Sequence, residues 1–120
     1  MKYKPYLLKD VYDASSQKKF DVISTFAGGG GSSTGYKLAG GNVLAVNEFV
    51  EEARTTYNQN YPETPILPDD IKKLSGQEFL DITGIKSGEL DVLDGSPPCS
   101  AFSMALSLIH ISEPTRQIVI

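Results

Sequence analysis

The sequence predicts an α/β fold built on a parallel sheet. Short β-branched and apolar runs alternate with segments that carry helix caps, and each run ends on glycine, proline or an acidic side chain. A length of 120 residues with 40% apolar and 22% charged content suits about one small soluble domain.

The elements follow in order. Residues 20–26, rich in Val, Ile, Ser, Thr and Phe, read as a first strand stopped by four consecutive glycines at 28–31. Ser32, Ser33 and Thr34 are competent helix caps and Gly40-Gly41 is a stop, so a short helix is expected between them. Val43, Leu44, Ala45 and Val46 in succession mark residues 42–47 as a strand buried on both faces, with Glu48 at its exit. A helix follows from about 50 to 58, with Glu51 and Glu52 in its first turn and Tyr61-Pro62 beyond its end. Residues 64–67 form a short third strand hemmed in by Pro62, Pro65 and Pro68, with Asp69, Asp70 and Ile71 at its exit. Ser75 and Glu78 have capping-box spacing ahead of Phe79, and Gly84 stops that helix. Residues 90–93 are the fourth strand, running into Gly95, Ser96, Pro97, Pro98 and Cys99. Residues 1–19 are an N-terminal extension, expected to be solvated and frayed around Lys2, Lys4 and Lys9.

In such a sheet the functional groups gather on loops at the carboxyl ends of the strands. The glycine run, Glu48, Asp70 and Cys99 all fall at such exits, so four chain segments converge on one edge.

Composition removes several classes. No apolar run approaches the roughly 18 residues of a membrane span, and the lysine-rich start lacks a signal-peptide core, so neither a membrane nor a secreted protein is expected. A single cysteine makes neither a disulfide nor a zinc site on its own, which points to a reducing, cytoplasmic setting and to no metal. The first twenty residues hold five lysines and two aspartates, whereas the rest carry six basic and thirteen acidic groups. A nucleic-acid partner must therefore be argued from motifs, because such partners usually meet a basic face.

The glycine loop fits neither familiar nucleotide pattern. Gly28 and Gly30 are followed by Ser33 where a dinucleotide loop needs glycine, and Gly30 to Gly35 is followed by Tyr36-Lys37 where a phosphate loop needs Lys-Ser or Lys-Thr. What remains is bare backbone between a strand and a helix, open to close approach by a ligand, with Glu48 placed to accept from ribose hydroxyls. The pair suggests an adenosine-type ligand. Four glycines also suit a plain flexible connection, and Glu48 a solvated acid.

Cys99 follows two prolines that would hold the thiol in a defined direction, although a lone cysteine also packs well as a small hydrophobe. His110, the sole histidine, lies eleven residues further on, a separation that says nothing about contact with Cys99.

Taken together, Phe26 through Gly31, then Asn47-Glu48-Phe49, Asp70-Ile71, and Gly95 through Ser103 closely resemble the opening half of the DNA (cytosine-5) methyltransferases in order and spacing. The family's F-x-G-x-G-G loop is matched at Phe26, Gly28, Gly30 and Gly31, and its Pro-Cys dipeptide at Pro98 and Cys99. The resemblance implies a Rossmann-like S-adenosylmethionine-dependent methyltransferase fold with an incomplete parallel sheet. By the same resemblance Phe26, Gly28, Gly30 and Gly31 would line the S-adenosyl-L-methionine pocket, and Glu48 would bind the ribose hydroxyls. Phe49 and Ile71 would flank the adenine, Asp70 would accept from its amine, and Pro98 would lie close to the cofactor. Cys99 would be the catalytic nucleophile, and the partner double-stranded DNA with a flipped cytosine.

The chemistry explains the thiol. C5 of cytosine is a poor nucleophile, so a thiolate adds to C6, drives electron density to C5 and leaves again after methylation. The base must leave the duplex because stacking covers C6.

The motif-by-motif resemblance covers residues 20–104. A complete member would continue through a Glu-Asn-Val segment, a target-recognition region and a closing helix, so inactivity of the isolated chain is expected. Residues 105–120 read as a divergent or artefactual tail, Ser107 to Arg116 resembling translated adapter sequence. Two rivals remain. One is a DNA amino-methyltransferase, whose Pro-Pro-aromatic loop resembles Ser96-Pro97-Pro98 but needs a ring where Cys99 stands. The other is a non-catalytic adenosine-binding module.

Overall fold

The computed structural model describes residues 5–95. Pro98, Cys99, His110 and the 105–120 tail lie outside the described residues.

Four parallel strands form one sheet in the order β3-β2-β1-β4. They are β1 (Phe20–Thr25), β2 (Gly41–Asn47), β3 (Ile66–Leu67) and β4 (Val92–Gly95). The helices are α1 (Leu8–Ser15), α2 (Gly31–Leu38), α3 (Glu51–Asn60) and α4 (Gly76–Thr83), with a 3-10 turn at Ile71–Lys73. The order of β1, β2 and β3 runs toward one edge, then reverses to β4, so the β1/β4 boundary is a topological switch point, where ligands of such sheets bind.

Successive strand residues face opposite sides. On one face Val22, Val43 and Val46 join Val11 of α1 and Tyr57 of α3, with Tyr61 just past that helix, in a single buried cluster. Ile23 and Ala45, paired across β1 and β2, are fully buried outside that cluster, as is Phe79 of α4. The β1/β2 register slips by one between Val22 and Ile23, leaving Leu44 as a bulge in β2.

The N-terminus departs from expectation. Residues 8–15 are not frayed but form α1, whose Val11 is 1% exposed and whose Tyr12 ring packs edge-on against Tyr61 at 6.1 Å. The physical reason is the spacing of Leu8, Val11, Tyr12 and Ser15, which puts them on one helical stripe; Val11 enters the core and Ser15 Oγ donates to the Gly41 carbonyl at 2.8 Å. Asp10 caps the start by accepting from the Leu7 N–H at 2.8 Å.

Other elements differ in extent. β3 is only two residues long, since Pro65 and Pro68 flank it and have no N–H for a ladder. β4 begins two residues later than the apolar run suggests because its pairing is set by Val22 through Thr25 of β1. The capping box of α4 is present, with Ser75 Oγ accepting from the Glu78 N–H, and Gly84 ends the helix at φ +77°. No helix among the described residues is long and apolar enough to cross a membrane.

Candidate cofactor and active site

The carboxyl tip of β1 turns sharply. Phe26 has φ +53°, a left-handed conformation costly for a side chain with a Cβ, and Gly28 and Gly30 follow at +59° and +107°. Gly30 is the N-cap of α2, so no side chain caps that helix and the serines and threonine expected as caps lie inside its first turn. The amides of this turn are thus not taken by a capping oxygen.

Glu48 leaves the tip of β2 buried, and both its oxygens are engaged. Oε1 accepts from the Gly28 N–H at 2.7 Å and Oε2 from the Val50 N–H at 2.9 Å. One carboxylate therefore ties the glycine loop to the entry of α3. It is not the solvated acid that a surface position would give. Its remaining lone pairs leave it able to accept from a ligand hydroxyl as well.

The β3 exit is drawn to the same edge. Asn47 Nδ2 donates to the carbonyls of Leu67 at 3.0 Å and Asp69 at 2.8 Å, and the Glu48 N–H donates to the Leu67 carbonyl at 3.1 Å. Arg54 Nη1 reaches back from α3 to the Glu48 carbonyl at 3.2 Å and also to that of Phe49. Between these anchors the Phe49 ring stands 64% exposed, unusual for phenylalanine and suited to a flat partner. Asp70 Oδ1 accepts from the Lys72 N–H at 3.0 Å, capping the 3-10 turn that carries half-buried Ile71.

The glycines divide by what surrounds them. Among the described residues a Cβ at Gly28 or Gly31 would meet nothing within 4 Å, whereas one at Gly30 would stand 3.2 Å from the Tyr61 ring and 3.3 Å from that of Tyr57. Gly28 and Gly31 thus border open space, while Gly30 is backed by packed rings. A second, largely apolar cavity of about 380 Å³ lies beside the β1 and β4 tips, lined by Thr25, Ile71, Leu74, Phe79, Leu93 and Gly95 among others. It shares Ile71 with the expected adenine clasp but does not reach the glycine loop.

Thr25 pairs with Gly95 at the end of β4, and Thr25 Oγ1 donates to the Asp94 carbonyl at 2.9 Å. The sequence from there to Cys99 is four residues. Of the residues singled out from the sequence, Phe26, Gly28, Gly30, Gly31, Glu48, Phe49, Asp70 and Ile71 all lie at the carboxyl edge of the sheet. Sequence reasoning missed Asn47 and Arg54 as anchors, and it missed Tyr57 and Tyr61. Their i, i+4 spacing was the available signal.

A switch-point loop of bare backbone, a buried acid on the next strand and an exposed ring thus gather at one edge of a Rossmann-like parallel sheet, where ligands of such sheets bind. A family model for the C-5 cytosine-specific DNA methylase matches residues 20–119, and the chain belongs to that family. The matched stretch runs past Met104, where the motif resemblance ends.

Among relatives, the chain is 30% identical over 99 residues to the type II methyltransferase M.AquIA of a Picosynechococcus species, covering 82% of this chain and 40% of that protein. It is 32% identical over 97 residues to M.NgoPII of Neisseria gonorrhoeae, covering 81% and 26%, and 37% identical over 83 residues to M1.HphI of Haemophilus parahaemolyticus, covering 69% and 22%. A crystal structure of a DNMT2 mutant from Spodoptera frugiperda aligns with a TM-score of 0.57 and 26% identity, over 68% of this chain and 23% of that one. The matched part of the chain thus spans between about a fifth and two fifths of the length of these relatives.

Proposed function

We propose that this chain is the cofactor-binding and nucleophile-bearing portion of a DNA cytosine-5 methyltransferase. It acts with the remainder of a longer protein, in the cytoplasm, on a cytosine flipped out of double-stranded DNA. The observation that carries the reading is the Gly28 N–H to Glu48 hydrogen bond at 2.7 Å, with open space at Gly28 and Gly31.

The residues fit S-adenosyl-L-methionine. Glu48 holds the ribose hydroxyls through lone pairs its two backbone contacts leave over. Phe49 and Ile71 take the two faces of the adenine, and Asp70 accepts from its amine. Backbone around Phe26, Gly28, Gly30 and Gly31 lets the amino-acid portion approach without side-chain obstruction, and by the family resemblance Pro98 would lie close to the cofactor. The bound cofactor supplies an electrophilic methyl group. Cys99, four residues beyond the end of β4 in the sequence, would add as thiolate to C6 of the cytosine, so that C5 can take the methyl group with departure of the demethylated cofactor. It would be expelled when a base removes the C5 proton.

In a protein completed to the length of its relatives, duplex DNA carrying 5-fluorocytosine at the target forms a covalent adduct, and Cys99→Ser abolishes it. Survival of the adduct in Cys99→Ser removes Cys99 from the chemistry. Methylation of adenine N6 or cytosine N4 selects amino-group transfer, and cofactor binding without any transfer selects the binding module.

A further inference from the structure

Two tyrosines that the proposed chemistry does not use point at the turn that carries it. Tyr57 and Tyr61 stand one turn apart at the end of α3, both buried, with ring centroids 5.4 Å apart. The Tyr57 hydroxyl donates to Ser33 Oγ at 2.8 Å, and the Tyr61 hydroxyl is hydrogen-bonded to Thr34 Oγ1. Thr34 in turn binds the Gly30 carbonyl twice, through its hydroxyl at 2.8 Å and its amide at 2.9 Å. Carbons of both rings stand 3.2 and 3.3 Å from where a Cβ on Gly30 would lie. From the other side Glu48 holds Gly28.

We propose that Tyr57 and Tyr61 are positioning residues whose hydroxyls fix the first turn of α2 and, through it, the conformation of residues 28–34. A run of four glycines has more backbone freedom than any other four residues. Whatever freedom survives folding must be removed when a ligand binds, at a cost in affinity. A loop already held by two phenols and a carboxylate has little left to lose. Burial pushes the Tyr57 pKa up to about 12, so the hydroxyl remains a donor across the range in which the protein works. The consequence for cofactor affinity rests on the proposed function; the consequence for loop order does not.

Tyr12 supplies the control. Its ring belongs to the same aromatic cluster, but its hydroxyl donates to the Asn60 carbonyl at 2.6 Å, away from the loop. The experiment compares Tyr57→Phe, Tyr61→Phe, Ser33→Ala and Tyr12→Phe in the whole chain, by amide hydrogen exchange and by calorimetric titration with S-adenosyl-L-methionine. Tyr57→Phe and Tyr61→Phe are expected to speed exchange at residues 28–34 while the strands keep their protection, and to weaken binding by about 3- to 10-fold, the worth of one hydrogen bond. Ser33→Ala, which removes the Tyr57 contact without touching a ring, gives the same loop signature should Tyr57→Phe fail to fold. Tyr12→Phe leaves both readouts unchanged. Unaltered loop exchange in Tyr57→Phe, Tyr61→Phe and Ser33→Ala overturns the inference, and so does equal loosening in Tyr12→Phe. If a protein completed to the length of the relatives takes up no cofactor yet the exchange pattern holds, the clamp stands and the cofactor reading falls.

Discussion

Gly30 and Gly31 sit side by side but answer to different demands. Gly30 has a left-handed backbone and no room to spare, because a methyl there would press on both tyrosine rings at 3.2 and 3.3 Å, tighter than ordinary contact. Gly31 opens α2 with no such constraint and faces space. Gly30→Ala is therefore expected to lower stability by about 1 to 2 kcal/mol or more. Gly31→Ala should leave the melting temperature unchanged or slightly raised, since alanine loses less backbone entropy in a helix. Its effect should appear in cofactor titration instead, as a loss of about tenfold from a methyl group intruding on the ligand. Thermal melts and calorimetry on the two variants check the separation; a Gly31→Ala protein that binds normally would remove that position from the site.

Helix by helix, what decided the outcome was contact at long range. The Glu48 exit, the α4 capping box and the Gly84 stop were legible because cap, run and stop lie within a few residues of one another. The role of α3 was not, since Tyr57 and Tyr61 meet Ser33 and Thr34 more than twenty residues away. α1 escaped notice because lysines surround it and only Val11 is deeply buried, while β4 took its limits from its partner strand instead of its own apolar run. The same cluster makes a pH prediction. Tyr57 titrates near 10 when unfolded and near 12 when folded, so the folded state holds the extra proton between those values. That stabilisation is complete below pH 10 and disappears as pH rises through 12. Buried Lys37, lying 3.9 Å over the Tyr61 ring, has its pKa lowered by desolvation and contributes with the opposite sign, but only up to its unfolded value of 10.5. Denaturant midpoints are thus expected to fall between pH 10.5 and 12, and Tyr57→Phe to flatten that fall. An unchanged slope would refute the burial-based assignment.

Across the molecule, the sheet has two margins of different character. β3 is a two-residue stub guarded by prolines, a common way of blunting an edge. β4 is the other margin among the described residues, with Leu93 43% exposed beside the 380 Å³ cavity. The 120-residue chain is therefore expected to self-associate with rising concentration, and Leu93→Lys to suppress this. Light scattering over a dilution series distinguishes that from a monomer indifferent to the substitution.

The extra residue at Leu44 has a consequence for the active edge. Side chains along a strand alternate like the teeth of a zip, so one supernumerary residue reverses the parity of everything downstream. A β2 lacking it would arrive at the rim with Asn47 and Glu48 exchanged between faces. The carboxylate would then turn its back on Gly28, and the binding edge would never assemble although every residue of it was present.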